Sequence, residues 1–339
     1  MDKITLLKRY LLLFFSACLF TGRAGAQMRK FSFSQLKMGS PLNIILVTDD
    51  STKAQNCAKS CFELVDSLNS IFSDYDTSAE LSKLNTHAGS GAMAISGGLC
   101  DILLYAKDAF QKSGHSFDVT IGPLSQLWRR ARKETLFPET ADISAKLALI
   151  GFDKINFDPQ KSTLALAPGF RLDLGGIAKG YTAQKIVDYL LSRGITQSLA
   201  DAGGDMAMTD APPGSGGWVI GINLPETADD LLPKKLLLKN KAVATSGDVY
   251  QYFAHEGKRY SHIIDPRTGY GITSQRNVTV IADNGTLADW LATSCSILPI
   301  NEAKKLAIAM KAELLIAEMK EAKIVFHATP GFKKFWKKN

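Results

Sequence analysis

The sequence predicts a mixed α/β (α+β) fold: a single large unit in which a mainly antiparallel sheet is flanked by helices. Two observations support this prediction. Many short apolar runs with strand character follow one another without a helix between them, which favours antiparallel pairing over parallel crossovers. Amphipathic helical patterns lie between these groups of strands. The chain has 339 residues, of which 45% are hydrophobic, so it can bury one sizeable core.

The first elements are a strand, a long helix and a polar loop. The run "PLNIILVTDD" has strand character, and an amphipathic helix is predicted over about residues 51–72. In the polar loop that follows, Ser78 is placed to cap a short helical turn. On the long helix, Cys57 and Cys61 stack on one face. No cluster of His or Cys partners follows them in the sequence, so we interpret them as buried apolar residues rather than as a metal-binding pair.

The rest of the chain alternates between helical and strand patterns. Two helices are predicted to close at Gly114 and Gly151, and a hairpin is predicted to turn at Asp158-Pro159. A helix in "GYTAQKIVDYLLSRG" then leads to further strands, a polar stretch rich in glycine, and a last helix, "NEAKKLAIAMKAE". The later strands are "SLADAGGDMAMT", "WVIGINLP", "LLIAEM" and "KIVFHA".

The N-terminus has the order of a secretory signal. A basic start is followed by an apolar run from Tyr10 to Phe20 and by Ala24-Gly25-Ala26, which predicts cleavage after Ala26. The apolar run is too short for a permanent membrane-spanning helix. We therefore expect residues 1–26 to be a signal peptide, residues 27–339 to form the domain, and the protein to be exported to the periplasm or cell envelope. The alternative is lipid attachment at Cys18 in "FSAC", which would anchor the protein to the inner membrane.

The charge of the chain excludes one class of partner. The formal net charge of +7 falls to +4 without residues 1–26, which carry four basic residues and one acidic residue. Nucleic-acid-binding domains carry a much stronger, clustered positive charge. We therefore expect no nucleic-acid partner.

The stretch "RLDLGGIAKGYTAQ" has the features of a phosphate-binding turn. An apolar run ends at Asp173, Gly175 and Gly176 allow close backbone approach, and a helix follows. If a strand ends at Asp173, the open N–H groups and the positive end of the helix dipole suit a diphosphate. A simple tight turn from strand to helix requires glycine too, so the stretch by itself leaves both interpretations open.

In "TLADWLATS", Asp289 and Thr293 are four residues apart and share one face of a predicted helix. A carboxylate and a hydroxyl are suitable ligands for a hard cation such as Mg²⁺. Such a pair by itself more often reflects helix capping or surface solvation. A phosphate-binding turn in the same chain favours the metal, because Mg²⁺ commonly binds together with phosphate oxygens.

"SHIIDPRTG" is the third candidate segment. His262 precedes an apolar pair and a turn that fixes the local backbone. The histidine can act as an acid, a base or a phosphate partner, or it can make a structural hydrogen bond. The loops "ATSGD" and "DAGGD" are interpreted as parts of the pocket wall, because no GxSxG motif surrounds Ser246.

Taken together, these segments resemble the ApbE family of FAD:protein FMN transferases. The resemblance extends from about Met38 to the C-terminal "TPGF", which is nearly all of the mature chain. The motifs occur in the family's order: "KMGSPLNI", "FSDYDTSAELSKLN", "FDVTIGPLSQLW", "LDLGGIAKGY", "DAGGDM", "ATSGDVYQYF", "YSHIIDPRTG" and "ADWLATS".

The resemblance implies an activity. Members of this family bind FAD and Mg²⁺ and transfer FMN to a threonine hydroxyl of an acceptor protein, with release of AMP. They act outside the cytoplasm, mainly on membrane redox complexes. We therefore expect an exported flavin transferase whose partners are FAD and a subunit of such a complex.

The resemblance also implies site residues. The metal ligands fall on Asp289, Thr293 and the backbone carbonyl of Gly176, while Ala292 stands where some members have a further acidic residue. His262 matches the histidine proposed to assist transfer, and Asp173 is a second catalytic candidate. The implied FAD contacts are Met38, Tyr75, Ser116, Phe117, Asp118, Asp173, Lys179 and Ile264. Lys179 stands where other members can carry an acidic residue.

Two alternatives to transfer remain open at this point. An FAD diphosphatase would use related metal chemistry with water in place of the threonine. A periplasmic flavin-binding or flavin-supply protein would bind FAD without turnover. The Asp289/Thr293 pair and His262 favour catalysis over binding alone.

Overall fold

The structure is a computed structural model that describes residues 27–224, 231–247, 252–321 and 323–338. The predicted signal peptide and Cys18 lie outside these residues. The described strands are β1 (Arg29–Lys37), β2 (Ser40–Thr48), β3 (Ala92–Ala94), β4 (Asn156–Asp158), β5 (Thr163–Ala165), β6 (Ser198–Ala202), β7 (Asp205–Met208), β8 (Trp218–Ile220), β9 (Leu236–Leu238), β10 (Lys241–Ser246), β11 (Tyr252–His255), β12 (Lys258–Ser261), β13 (Arg276–Ala282), β14 (Glu313–Lys320) and β15 (Lys323–Ala328).

The described helices lie before and after a run of eight described strands, β6 to β13, that none of these helices interrupts. They are α1 (Ser51–Phe72), α2 (Glu80–Thr86), α3 (Gly97–Lys112), α4 (Gly122–Glu134), α5 (Thr140–Leu147), α6 (Ala178–Ser192), α7 (Gly285–Ile297) and α8 (Ile300–Ala309). Short 3₁₀ turns cover Val119–Ile121, Phe152–Lys154 and Phe332–Phe335. None of the helices in the described part of the chain is long and apolar enough to cross a membrane.

Eight strands form the central sheet in the order β1-β2-β6-β7-β10-β13-β14-β15. Every neighbouring pair in this sheet is antiparallel. The predicted mixed fold with a mainly antiparallel sheet is therefore confirmed. Smaller pairs, β11-β12 and β8-β9, and a three-stranded sheet, β3-β5-β4, lie outside the central sheet.

Both faces of the inner strands of the central sheet are covered, and alternate residues of each strand point to opposite sides. The residues of the edge strands β1 and β15 are exposed or half-buried. On one face, Ile44, Ala244 and Val280 pack in the main core with residues of α1, α6 and α7. On the other face, Val243 and Ile281 pack with β8, β9 and the C-terminal 3₁₀ turn. The helices that carry the candidate site residues thus lie on one face of the sheet.

A third apolar cluster joins α4 and α5 to the β11-β12 hairpin. Leu124 and Trp128 of α4 pack there with Phe253 and Ile264. The indole Nε1 of Trp128 donates to the carbonyl oxygen of Gly269 at 2.9 Å. This contact fixes the loop that follows β12 against α4.

Most of the helix and hairpin predictions hold, but the helix cap predicted at Ser78 does not. The long helix spans Ser51–Phe72 as predicted, and the β4-β5 hairpin turns at Asp158, whose side chain accepts the N–H groups of Gln160 and Lys161. The predicted capping role of Ser78 is wrong. Helix α2 begins at Glu80 with no side-chain cap, because the Ser78 hydroxyl donates to Asp76 instead.

The two cysteines of α1 lie in the main core as free thiols. Burial raises the pKa of Cys61 to about 12, which makes the thiolate that metal binding needs scarce at neutral pH. Among the described residues, no three His, Cys, Asp or Glu side chains are grouped so that they could hold a metal ion. The interpretation of Cys57 and Cys61 as buried apolar residues is consistent with these findings.

Candidate active site

The three residues expected to hold a metal lie close together. Asp289 and Thr293 occupy successive turns of α7 on one face. Gly176 lies beside them, since a Cβ built on Gly176 would be 3.1 Å from the Oγ1 of Thr293. Ser116 and Ser294 adjoin this group and share a hydrogen bond of 2.6 Å between their hydroxyl oxygens. We call these five residues the Asp289 cluster.

Asp289 already has a partner in the structure. Its Oδ2 accepts the N–H of Gly180, in the first turn of α6, at 2.8 Å. The side chain is buried, with only 6% of the residue exposed. Burial raises the pKa of Asp289 to about 6, and the bond from Gly180 and the charge of Lys179 oppose the rise. A carboxylate with this pKa is largely ionised at neutral pH.

Close packing of two helices fixes this arrangement. A Cβ on Gly180 would lie 2.2 Å from the carbonyl oxygen of Gly285 and 2.5 Å from the Cβ of Asp289. A Cβ on Gly285 would meet the carbonyl oxygen of Gly180 at 2.2 Å. Only glycine therefore lets α6 and α7 approach closely enough for Asp289 to cap α6.

The glycine turn differs from the prediction in two ways. Residues 171–174 are not a strand, because both backbone groups of Leu172 bond to the side chain of Asn85 at 2.7 and 2.9 Å, and the N–H of Asp173 donates to Val119. The first turn of α6 is not fully open either, since Asp289 accepts the N–H of Gly180. A diphosphate expected at this helix terminus would therefore meet a carboxylate that is already in place.

The donor atoms of the Asp289 cluster suit a magnesium ion. A carboxylate, a hydroxyl and a backbone carbonyl are hard oxygen ligands, and Mg²⁺ in proteins usually keeps waters and phosphate oxygens around one or two carboxylates. Ala292 is buried next to them and offers no side-chain oxygen. The residues present therefore fit Mg²⁺ with an incomplete protein shell, which a nucleotide and water would complete.

The structure shows a second carboxylate near this cluster, that of Asp205, which the sequence did not predict as a site residue. The half-buried Asp205 opens β7, and burial, followed by the charge of Asp289, raises its pKa well above the usual value for an aspartate. Lys179 offsets part of that rise. Its ammonium lies near the β6-β7 turn, where a Cβ on Gly203 would be 3.4 Å from Lys179 Nζ. The sequence marks Asp205 only as the last letter of "DAGGD", so its chemistry depends on a tertiary contact.

Phe117 and Asp118 have different roles from one another. The ring of Phe117 lies against Gly176, with a distance of 3.1 Å from its Cε2 to a Cβ built there. Asp118 is buried, and both of its oxygens accept hydrogen bonds, from Thr120 at 2.7 and 2.8 Å and from the N–H of Phe152 at 3.2 Å. Burial raises the pKa of Asp118. Its side chain therefore holds the local backbone, so any contact with FAD would come from main-chain atoms.

Tyr75 and Asp173 meet at an arginine that the sequence did not single out. Arg129 of α4 donates to Asp173 at 2.8 Å and also bonds to Asp74. Its guanidinium carbon lies 4.4 Å from the centre of the Tyr75 ring, which is 76% exposed. Arg132 lies one turn further along the same helix. We call Asp74, Tyr75, Arg129, Arg132 and Asp173 the Arg129 cluster.

Two more predicted FAD contacts lie at either end of the site. Met38 sits in the β1-β2 turn with a φ of 50°, and its sulfur accepts a hydrogen bond from Thr182 of α6 at 3.6 Å. Ile264 is buried beside Leu124 and Trp128. Of the predicted FAD contacts, Met38 therefore touches α6, Lys179 belongs to the first turn of α6, and Ile264 packs against α4.

The structure places His262 on the loop that follows β12, with an exposed side chain. This loop is joined to α4 by the bond from Trp128 to Gly269, and α4 also carries Arg129. The first three residues of "ATSGD", which was interpreted as a loop, are the end of strand β10, its glycine follows the strand, and Asp248 lies outside the described residues. His262 thus belongs to neither cluster but shares a supporting helix with one of them.

Comparison with known proteins identifies close similarity to flavin transferases. The ApbE family model matches residues 38–316. The FAD:protein FMN transferase of Klebsiella pneumoniae (strain 342) is 32% identical over 263 residues, covering 77% of this chain and 80% of the relative. The structure of the flavin transferase ApbE from Vibrio cholerae is similar with a TM-score of 0.81 at 28% identity, covering 91% of this chain and 100% of that chain. The ApbE protein from Thermotoga maritima gives a TM-score of 0.82 at 28% identity over the same shares.

Proposed function

Because the chain belongs to the ApbE family and is an FAD:protein FMN transferase, we propose that it depends on Mg²⁺ and transfers FMN to a threonine hydroxyl with release of AMP. The observation that carries this proposal is the meeting of Gly176, Asp289 and Thr293, which come from two distant parts of the sequence. A buried, largely ionised carboxylate beside a hydroxyl suits a hard cation at the diphosphate of FAD.

The reaction exchanges one bond to phosphorus for another. The threonine oxygen attacks the phosphorus of the FMN half, the bond to the AMP oxygen breaks, and the threonine proton must leave. Asp289, Thr293 and the Gly176 carbonyl would hold Mg²⁺, which neutralises charge on the diphosphate when bound. Tyr75 offers an exposed ring face for the nucleotide, and Arg129 holds Asp173 in place. Phe117 is buried against Gly176 and supports the glycine turn.

His262 is the proposed general base. A base of this kind must reach the incoming hydroxyl, and an exposed histidine at the end of a strand can do so. Asp118 is a poor alternative, because both of its oxygens already accept hydrogen bonds. Asp173 is a weaker candidate than His262, because it pairs with Arg129 and also accepts the N–H of Gly175 at 2.8 Å.

Incubation with FAD, Mg²⁺ and an acceptor protein tests the proposal. We expect in-gel flavin fluorescence on the acceptor, release of AMP, and loss of both with EDTA. Replacement of the acceptor threonine by valine should abolish labelling. Release of AMP and FMN with no labelled acceptor would indicate an FAD diphosphatase, and FAD binding with no product would indicate a flavin-binding protein.

We further propose that residues 27–339 form an exported enzyme whose acceptor is a subunit of a membrane redox complex. The support is the signal-like order of residues 1–26. Protein purified from the cell envelope should begin at Gln27 by N-terminal mass spectrometry. A diacylglyceryl group on Cys18 would instead show a lipid-anchored protein.

A further inference from the structure

One buried donor of the Arg129 cluster has no partner. The Nη1 atom of Arg132 is inaccessible to solvent and makes no hydrogen bond within the described residues. A buried N–H without an acceptor is costly, and native structures usually satisfy such groups. When one is left open in a binding region, a ligand is a natural partner.

The distribution of the ion pairs in the cluster points to an anion at Arg132. Arg129 pairs with two carboxylates, those of Asp74 and Asp173, whereas no described carboxylate forms a salt bridge with Arg132. The two arginines are three residues apart on α4, so their side chains leave the same face of the helix. Burial and the charge of Arg129 both lower the pKa of Arg132. The two arginines and two carboxylates of the cluster balance in formal charge, but both carboxylates bond to Arg129. The buried Nη1 of Arg132 is therefore left without an acceptor among the described residues.

Tyr75 narrows the class of anion. Arg129 covers one face of its ring, while most of the ring remains exposed. That ring can stack with an aromatic ligand, so an aromatic ring and an anion are recognised side by side. A nucleotide carries both groups, and a guanidinium binds phosphate oxygens through two N–H groups in one plane.

We propose that Arg132 is a phosphate-binding residue for the flavin nucleotide, acting next to the ring of Tyr75. The inference rests on the proposed function, because it takes FAD as the ligand of this site. A carboxylate of the acceptor protein is the competing occupant, and the experiment separates the two.

The experiment measures ligand affinities of four proteins by titration of flavin fluorescence or heat. They are the wild type and the Arg132→Gln, Arg132→Lys and Arg130→Gln variants. Arg130 is the matched control, since it is an exposed arginine on the same helix. We expect Arg132→Gln to weaken FAD binding on the order of tenfold to a hundredfold, with Arg132→Lys in between. Riboflavin, which has no phosphate, should bind all four proteins alike.

Two further measurements sharpen the assignment. AMP and FMN titrations show which phosphate is bound, because only the mononucleotide that contains it should lose affinity in Arg132→Gln. In the ligand-free state, Arg132→Gln should melt no lower than the wild type, since the substitution removes an unsatisfied cation. The increase in melting temperature that FAD produces should shrink in the same variant.

Three outcomes would overturn the proposal. Equal FAD affinity in Arg132→Gln and the wild type would show that no phosphate is bound there. Equal loss of FAD and riboflavin affinity would make Arg132 a packing residue. Unchanged FAD affinity with a raised KM for the acceptor would assign the N–H to the protein partner. Failure of the wild type to label an acceptor while Arg132→Gln still weakens FAD binding would refute the transfer function and leave the phosphate site standing.

Discussion

In the Asp289 cluster, Asp289, Ser116 and Ser294 are buried and bonded to each other or to the backbone before any ligand arrives. Thr293 is half-buried beside them. In the Arg129 cluster, the tyrosine ring is largely exposed and one arginine N–H has no acceptor. The same nucleotide is expected to touch both. The difference shows that the chain pre-forms the end of the site where charge must be placed accurately, and leaves the recognition end to be completed by its ligand.

The cause of the difference lies in the elements that hold each cluster. Helices α6 and α7 meet glycine against glycine in the main core, at Gly180 and Gly285, so Asp289 has no freedom to move. The residues of the Arg129 cluster lie on one helix, α4, on the loop that contains Asp74 and Tyr75, and on the segment that contains Asp173. Interior packing gives a fixed geometry. The side chains of the Arg129 ion pairs are largely buried too, so the freedom to adjust lies mainly in the exposed ring of Tyr75.

Replacing His262 by alanine should have the largest effect on the rate of transfer, because His262 is the proposed general base. This residue belongs to neither cluster. Transfer should slow by about two to four orders of magnitude, since an unassisted hydroxyl must lose its proton. FAD binding should remain within several-fold, since both clusters stay intact. Labelling of an acceptor measures transfer, and quenching of flavin fluorescence measures binding.

His255→Ala is the matched control for this experiment. His255 lies in the same β11-β12 hairpin and stacks on Phe137 at 4.1 Å, so its loss tests the integrity of that hairpin. Transfer by His255→Ala should stay near the wild-type rate. Parallel loss of binding and transfer in His262→Ala would make His262 a ligand-positioning residue instead.

Asp289 tests the pre-formed half of the comparison. Asp289→Asn and Asp289→Ala should both reduce Mg²⁺-dependent transfer, roughly a hundredfold at limiting Mg²⁺. They should differ in stability, because asparagine can still accept the N–H of Gly180 and alanine cannot. We expect alanine to lower the free energy of unfolding by about 1–3 kcal/mol. Urea unfolding of both variants measures this difference, and normal turnover at limiting Mg²⁺ would contradict the metal assignment.

The pKa of Asp289 predicts that the apparent Mg²⁺ affinity changes with pH by about one order of magnitude. Protonated Asp289 cannot bind a cation. As the pH increases, the apparent Mg²⁺ affinity of the wild type should therefore increase about tenfold per pH unit up to pH 6 and be constant at higher pH. Asp289→Asn should show a weak, flat profile. Calorimetric titration between pH 5 and pH 8 measures both, and a flat wild-type profile would exclude Asp289 as the titrating ligand.

The same pKa also affects stability, with a definite sign. The folded-state value of about 6 is above the ordinary value of 3.8, so the fold resists ionisation of this group. Its contribution to stability is complete below the unfolded-state pKa and is lost as the pH rises through about 6. Without metal, the wild type should therefore lose stability over this range relative to Asp289→Asn.

Spacing along one helix was enough to predict part of the site. Asp289 and Thr293 are four residues apart, so helical geometry alone places them together. The turn residues, Gly176 among them, stood out in the sequence, but the role of Gly176 as a metal ligand followed only from the family resemblance. The long helix and the β4-β5 hairpin were predicted because periodicity and turn residues are local signals.

The rest of the site depends on contacts between distant segments. No spacing rule links Arg129 to Asp74 or to Asp173, and both arginines lie in a charged run that is typical of an exposed helix face. The capping of α6 by Asp289 requires Gly180 and Gly285 to meet, which neither helix reveals by itself. The false strand before Asp173 has the same cause, because the side chain of Asn85 satisfies the backbone there.

The last prediction tests the adjustable half of the comparison and has the smallest expected effect. Arg129→Lys should raise the KM for FAD several-fold and leave kcat nearly unchanged, because an ammonium is a point charge and cannot hold Asp74 and Asp173 in one plane as a guanidinium does. Arg129→Met should raise KM further, since the two carboxylates would lose their counter-charge. Burial and then repulsion by Asp173 already raise the pKa of Asp74. Steady-state kinetics at saturating acceptor separates KM from kcat. A fall in kcat with constant KM would show that Arg129 acts on the chemical step rather than on FAD binding. The Arg129 cluster would then place charge for the reaction, as the Asp289 cluster does, and the contrast between the two would not hold.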